Sequence, residues 1–218
     1  MVSNLRMKIV AIEGLDKSGK ATQTKLLREA LEQQGHKVAT SEFHRYDTPT
    51  GKLVMDWLTG KYDVDQLTIE FIMAADKQAQ QGWFRELDAM GYDILILDRY
   101  TLSQQAYAKA NKVPASLVNE LQRHMIAPDI NIIIDIPANI SMTRKGKHND
   151  GQNDRYESDL AMLMRVREYY LNSWNCFILD GEMSIEHIHE KMYRFTTALM
   201  EGRLASYEDH WCRLRFNA

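Results

Sequence analysis

The 218-residue chain is 44% hydrophobic, enough for one compact unit with a sizeable core, and its 27 basic against 30 acidic residues give a net charge of -3 with no nucleic-acid footprint. Its two cysteines, Cys176 and Cys212, supply neither a disulfide framework nor a zinc spacing, which suits a reducing compartment. Met1 to Arg6 lacks the apolar core of a signal peptide and no apolar run is long enough to span a bilayer, so a cytoplasmic setting with no membrane or nucleic-acid partner is expected.

The first predicted strand lies near 7–13, where Lys8-Ile9-Val10-Ala11-Ile12 is an apolar run, and a helical pattern follows over 20–34. Between them stands Gly14-Leu15-Asp16-Lys17-Ser18-Gly19-Lys20-Ala21-Thr22. Glycines at both ends let successive backbone N–H groups curl around an anion, the helix N-terminus adds its positive dipole end, and Lys20 reaches the β and γ oxygens of a nucleoside triphosphate. Gly14, Lys17, Ser18, Gly19, Lys20, Ala21 and Thr22 are the candidate triphosphate contacts. One position departs from the pattern. Ala21 stands where a Ser or Thr hydroxyl commonly contacts Mg2+, and Thr22, about 100° further round the helix, is placed for an α-phosphate instead. Mg2+ must then lean on phosphates, water and another acid.

A second strand near 37–43 leads into Phe43-His44-Arg45-Tyr46 and is followed by helices at 51–58 and 66–90, the longer one dense in Phe71, Ile72, Met73, Trp83, Phe84, Leu87 and Met90. The strand at 92–98 is a buried-looking run ending in Asp98, which suits either the metal, through water, or the N-cap of the helical stretch behind it. Arg99, at the carboxyl edge beside the phosphate loop, is placed to hold a second phosphate. Beyond it come a helical region over 101–124 with breaks, strands near 129–136 and 176–180, and helices at 138–145, 156–173 and 184–200. Alternation of strand and helix, with the phosphate loop behind the first strand, implies an α/β fold of the P-loop kind, a five-stranded parallel sheet with helices on both faces. Asn111-Lys112-Val113-Pro114 supplies only half of a guanine-reading motif, which sets a GTPase aside.

Asp98-Arg99-Tyr100, the Gly14 to Gln23 loop and Asp154-Arg155-Tyr156-Glu157 together resemble the thymidylate kinase family, over about residues 7–200. The tail from Tyr207 to Ala218 lies outside that likeness and has no assigned role. The resemblance implies one nucleoside monophosphate kinase domain over 1–218, ATP as donor, dTMP as acceptor, Mg2+, a homodimer, and a mobile lid at about 144–156. Lys17, Lys20, Asp98, Arg99 and Arg155 then form the catalytic set. Arg144 and Lys147 are phosphate contacts or solvated surface charges. No general base is needed, because the second pKa of a phosphomonoester, about 6, leaves the acceptor phosphate largely dianionic at neutral pH.

For dTMP the resemblance points to Phe43 and Arg45, with His44 in the place of a proline. It also points to Met73 and Lys77, where the family has an aromatic and an arginine that read thymine. Met73 equally suits ordinary core. Asp16 matches an acid that contacts the sugar hydroxyl, and Arg99, Ser103, Gln104, Tyr107 and Tyr156 match or approach substrate-facing positions. Tyr107 is either a steric block to a ribose 2′-OH or helix packing. Competing readings are a kinase for another or 5-modified deoxynucleoside monophosphate, a deoxynucleoside kinase with Glu42 as base, and a nucleotide-binding module without turnover, suggested by Ala21.

Overall fold

A computed structural model of the chain describes residues 5–144, 154–204 and 213–215. The polar stretch 146–153, with Lys147 and most of the expected lid, lies outside the described residues. Five strands run parallel in the order β2 (Val38–Glu42), β3 (Ile94–Asp98), β1 (Lys8–Glu13), β4 (Ile130–Asp135) and β5 (Cys176–Asp180). A sixth, β6 (Arg213–Arg215), adds antiparallel to β5 and comes from the tail that the sequence reading left without a role. Three residues are too few to show a period, so only the pairing identifies it.

The strands are apolar on both faces because helices cover both. In β1 and β3, Val10, Ile12, Ile94 and Ile96 pack toward Leu27 and Leu31 of α1 (Lys20–Gln33) and toward Ile188, Met192 and Phe195 of α9 (Ile185–Met200). Their neighbours Ile9, Ala11, Leu95 and Leu97 point the other way, onto Phe84, Leu87 and Tyr100. Beside that layer a further cluster joins α2 (Pro49–Leu58), α3 (Gln66–Ala79), α5 (Thr101–Ala110) and α8 (Leu160–Leu171) through Trp57, Ile69, Tyr107, Leu163 and Tyr170.

Local chemistry sets the helix ends. Thr48, Asp65, Asp159 and Ser184 each accept a hydrogen bond from a backbone N–H of the first turn behind them. The expected helix over 66–90 is two helices, α3 and α4 (Gln81–Ala89), which meet at Gln80. The expected start at 156 moves to Leu160, because Asp154 Oδ1 accepts from the N–H groups of Tyr156 and Glu157 and folds 155–158 into a turn. Pro114 and Pro137 precede α6 (Ala115–Gln122) and α7 (Ala138–Thr143).

Register brings the functional ends together. Ile12 of β1 lies opposite Asp98 of β3, and Glu42 of β2 lies on its other side, so all three strands end at one edge of the sheet. Close approach there demands glycine. A Cβ on Gly14 would meet Ile134 O at 2.4 Å, and one on Gly51 would meet Arg45 O at 1.8 Å, so the phosphate loop and the loop after β2 pack against backbone.

Candidate active site

Gly19, at φ 101°, caps α1 and turns the chain from loop to helix. Lys20 is buried, and its Nζ donates to Leu15 O at 2.8 Å, which holds the ammonium against its own loop. Burial, then Arg99, pushes its pKa down. Ser18 is buried as well, with no hydrogen-bond partner for Oγ among the described residues, whereas Ala21 and Thr22 are exposed on the first turn of α1. The far side of the loop is braced by α7, where Ser141 Oγ donates to Asp16 O at 2.8 Å, and by Arg144, which donates to Lys17 O at 3.0 Å. Lys17 itself lies 3.4 Å from Glu157.

Arg99 is the centre of the strand-edge network. Its N–H donates to Ile12 O at 2.9 Å, its φ of 66° is in the left-handed region, and its guanidinium donates to Asp16 Oδ1 and to Ser103 Oγ at 3.1 Å. Tyr107 OH donates to the other Asp16 oxygen at 2.9 Å. Burial opposes charge on Asp16, yet Arg99 and Lys20 outweigh it and hold the carboxyl well below its ordinary range. Beneath them, Glu13 is fully buried and accepts from Tyr100 N, Ser103 N and Ser103 Oγ, while burial raises its pKa. Burial also raises that of Asp98, against Lys20 and Arg99.

A cleft opens beside this network. Of the residues predicted to face dTMP, Asp16, Phe43, Met73, Lys77 and Arg99 line it, together with Ser103, Gln104, Tyr107 and Tyr156. Met73 serves both readings, since it lines the cleft and belongs to the core cluster. Arg45 is not brought in. Its guanidinium bonds Asp47 at 3.0 and 3.1 Å and Gln80 at 3.3 Å, and the next residue, Tyr46, lines the cleft in its stead. Arg155 lies outside the lining too, with Nη2 2.9 Å from Asp63 and its guanidinium over Trp57.

Sequence reasoning missed His44, Tyr46, Leu58, Tyr100 and Asp154 in the lining, and above all the buried Asp76 behind it. Asp76 Oδ2 accepts from Arg45 N at 3.0 Å and lies 3.1 Å from His44 Nδ1, while Oδ1 accepts from Thr48 and Thr50 at 3.0 and 2.9 Å. Burial works against that carboxylate, but His44 and the Arg45 N–H prevail and hold it at about 2. Its neighbour Lys77, fully buried, donates to Met73 O at 3.3 Å and is pushed down to about 8 by burial, against Asp76 and Glu70. A motif search for Asp-Lys would not have found this anchor, because its partners lie 26 to 32 residues away.

Asp76 has its folded pKa depressed below the ordinary 3.8, so the stability it contributes is present above that value and is lost as pH falls through about 2. We expect Asp76→Asn to cost about 2–3 kcal/mol at pH 7, with the gap to wild type closing between about pH 4 and 2. Urea unfolding across that range measures it. A gap below about 0.5 kcal/mol at pH 7 would reduce Asp76 to an ordinary surface-like contact.

The sequence model of the thymidylate kinase family matches residues 12–192. A probable thymidylate kinase of Thermococcus gammatolerans is 31% identical over 194 residues, 83% of this chain and 91% of its own length. One from Metallosphaera sedula is 29% identical over 204 residues, 92% of this chain and 95% of its own. The solved thymidylate kinase of Candida albicans superposes with a TM-score of 0.76 at 21% identity, covering 99% of this chain and all of that one, a likeness of fold. With the phosphate loop, Asp98-Arg99 and the cleft in the places described, the chain belongs to the thymidylate kinase family.

Proposed function

We propose that the protein transfers the γ-phosphate of ATP to dTMP, giving ADP and dTDP, as one nucleoside monophosphate kinase domain. The observation that carries this reading is Arg99, which joins the phosphate-binding loop to the cleft through Asp16. In the proposal Lys20 and the loop amides hold the ATP phosphates, and Arg99 with Tyr46 receives the acceptor phosphate. Lys77 donates to O4 of thymine, Met73 and Phe43 enclose the ring, and Tyr107 stands against the sugar. Lys17 belongs to the loop, Arg144 braces it, and Arg155 stands at Asp63 and Trp57. Each is engaged by protein groups and would have to change partner to reach a phosphate.

Mg2+ is the metal the fold family implies, and the donor set here fits it. Asp98 supplies a hard carboxylate at the end of β3, beside the phosphate loop, and the nucleotide's phosphates and water would complete the ion's oxygen shell. Bound there, Mg2+ would neutralise charge on the transferred phosphoryl group. The proposal assigns Ala21 no part in holding it. Among the described residues no helix is long and apolar enough to cross a membrane. A cytoplasmic homodimer belongs to the proposal through the family likeness alone.

ADP release measured with dTMP and with thymidine tests the reading, since a deoxynucleoside kinase would turn over thymidine. Lys20→Ala should lose about 10²–10³ in kcat, the scale of one preorganised donor. Arg99→Ala should lose about 10- to 150-fold in kcat/KM for dTMP with ATP binding nearly intact, while Arg45→Ala loses less. Near-native kcat in Lys20→Ala would overturn the loop assignment.

Lys77 makes acceptor use depend on pH. Its ammonium is intact below about 8 and lost above, so kcat/KM for dTMP should fall as pH rises through that value. Lys77→Arg keeps its charge and should stay flat between about pH 7 and 9. Identical profiles for the two proteins would remove Lys77 from base recognition.

A further inference from the structure

His44 lines the cleft with one ring nitrogen committed and the other available. Nδ1 lies 3.1 Å from Asp76 Oδ2, and Asp76 takes its remaining contacts from an N–H and two hydroxyls, all donors. An ionised carboxylate only accepts, so Nδ1 carries the ring proton. Burial, then the charge of Lys77, discourages a second proton and pushes the imidazole down to about 4. Nε2, on the side of the ring away from Asp76, is therefore a lone-pair acceptor, and it has no hydrogen-bond partner among the described residues.

Lys77 lines the same cleft. Its Nζ lies 5.9 Å from the ring centroid of Phe43, the residue before His44, and its charge acts on the imidazole. If Lys77 donates to the O4 of a pyrimidine, a neighbouring acceptor faces either N3–H or the substituent at C5, because both atoms adjoin C4, and only the C5 side distinguishes one 5-substituted uracil from another. A methyl group gains nothing from a lone pair. A hydroxyl one carbon out donates to Nε2 and can still accept from the ammonium. The 4-amino group of cytosine would instead set donor against donor at Lys77.

We propose that the acceptor cleft prefers a pyrimidine deoxynucleoside 5′-monophosphate whose C5 substituent carries a hydrogen-bond donor, with 5-hydroxymethyl-dUMP the smallest example, and that His44 Nε2 is the acceptor that selects it. The proposal rests on the kinase reading above and names its substrate class.

The test is kcat/KM for 5-hydroxymethyl-dUMP, its near-isostere 5-ethyl-dUMP, dTMP and dCMP, each with ATP, on wild type, His44→Leu and His44→Gln. Ratios between substrates on one preparation cancel any loss of folded protein. Wild type should use the hydroxymethyl compound at least as well as dTMP and about 10-fold better than the ethyl compound, the scale of one hydrogen bond. His44→Leu should bring the second ratio below about 3, and His44→Gln, which keeps an acceptor, should retain part of it. Equal use of hydroxymethyl and ethyl compounds, an unchanged ratio in His44→Leu, or a preference for dCMP overturns the proposal, and turnover of dTMP in the same assay leaves the kinase reading standing. Absence of turnover with all four substrates overturns both.

Discussion

The parallel pairing of β1 with β3 is the constraint on which the rest of the molecule depends. Ile12 opposite Asp98 brings the start of the phosphate loop and the start of α5 to one point on the sheet edge, and the bond from Arg99 N to Ile12 O fixes them there. From that point the Arg99 guanidinium reaches Asp16 on one side and Ser103 on the other. Loop, strand and helix thus share one ion pair. A slip of a single residue would turn every side chain of β3 to the opposite face and remove Arg99 from the cleft.

That arrangement carries strain and buried charge, and the polar groups around it offset both. Arg99 in the left-handed region costs about 1–2 kcal/mol, a cost that persists where the surroundings over-determine the conformation. The Arg99–Asp16 pair is part-buried, so removing one partner costs less than in a fully buried pair, where the cost is about 3–5 kcal/mol. Glu13 below, Asp16 beside and Asp98 above set three acidic groups around Lys20 and Arg99. A second polar cluster repeats the logic with Asp76, Lys77, His44 and Glu70, where one anchored carboxylate orients a loop and an imidazole. In the proposed reading the Arg99 cluster takes phosphate and the Asp76 cluster takes the base.

Much of this was legible in the residues. The strand-loop-helix around Gly14 to Thr22 has local spacing, and the run Ile94 to Leu97 is apolar without a break, so both could be read directly. Nine residues expected around dTMP do meet in one cleft, among them Met73 and Lys77, whose i, i+4 spacing keeps them on one helix face. Arg45 and Tyr46 were harder. Adjacent residues in a loop have no period to say which one faces inward, and only the pull of Asp76 on Arg45 N and of Asp47 on its side chain turns Tyr46 into the cleft. The break at Gln80 was also hidden, since the polar run Gln78 to Gly82 that marks it suits the exposed face of one long helix as well as a boundary between two. What sequence could not show were contacts made at long separation between single polar atoms.

The direct measurement is calorimetric titration of the wild-type protein with dTMP and with thymidine, which differ only by the phosphate that the proposal assigns to Arg99. We expect dTMP to bind at least about 10- to 100-fold more tightly, as one charge-assisted contact with a phosphate implies, and the difference to disappear in Arg99→Ala. Equal affinities for dTMP and thymidine in the wild type would contradict a monophosphate site at this cleft.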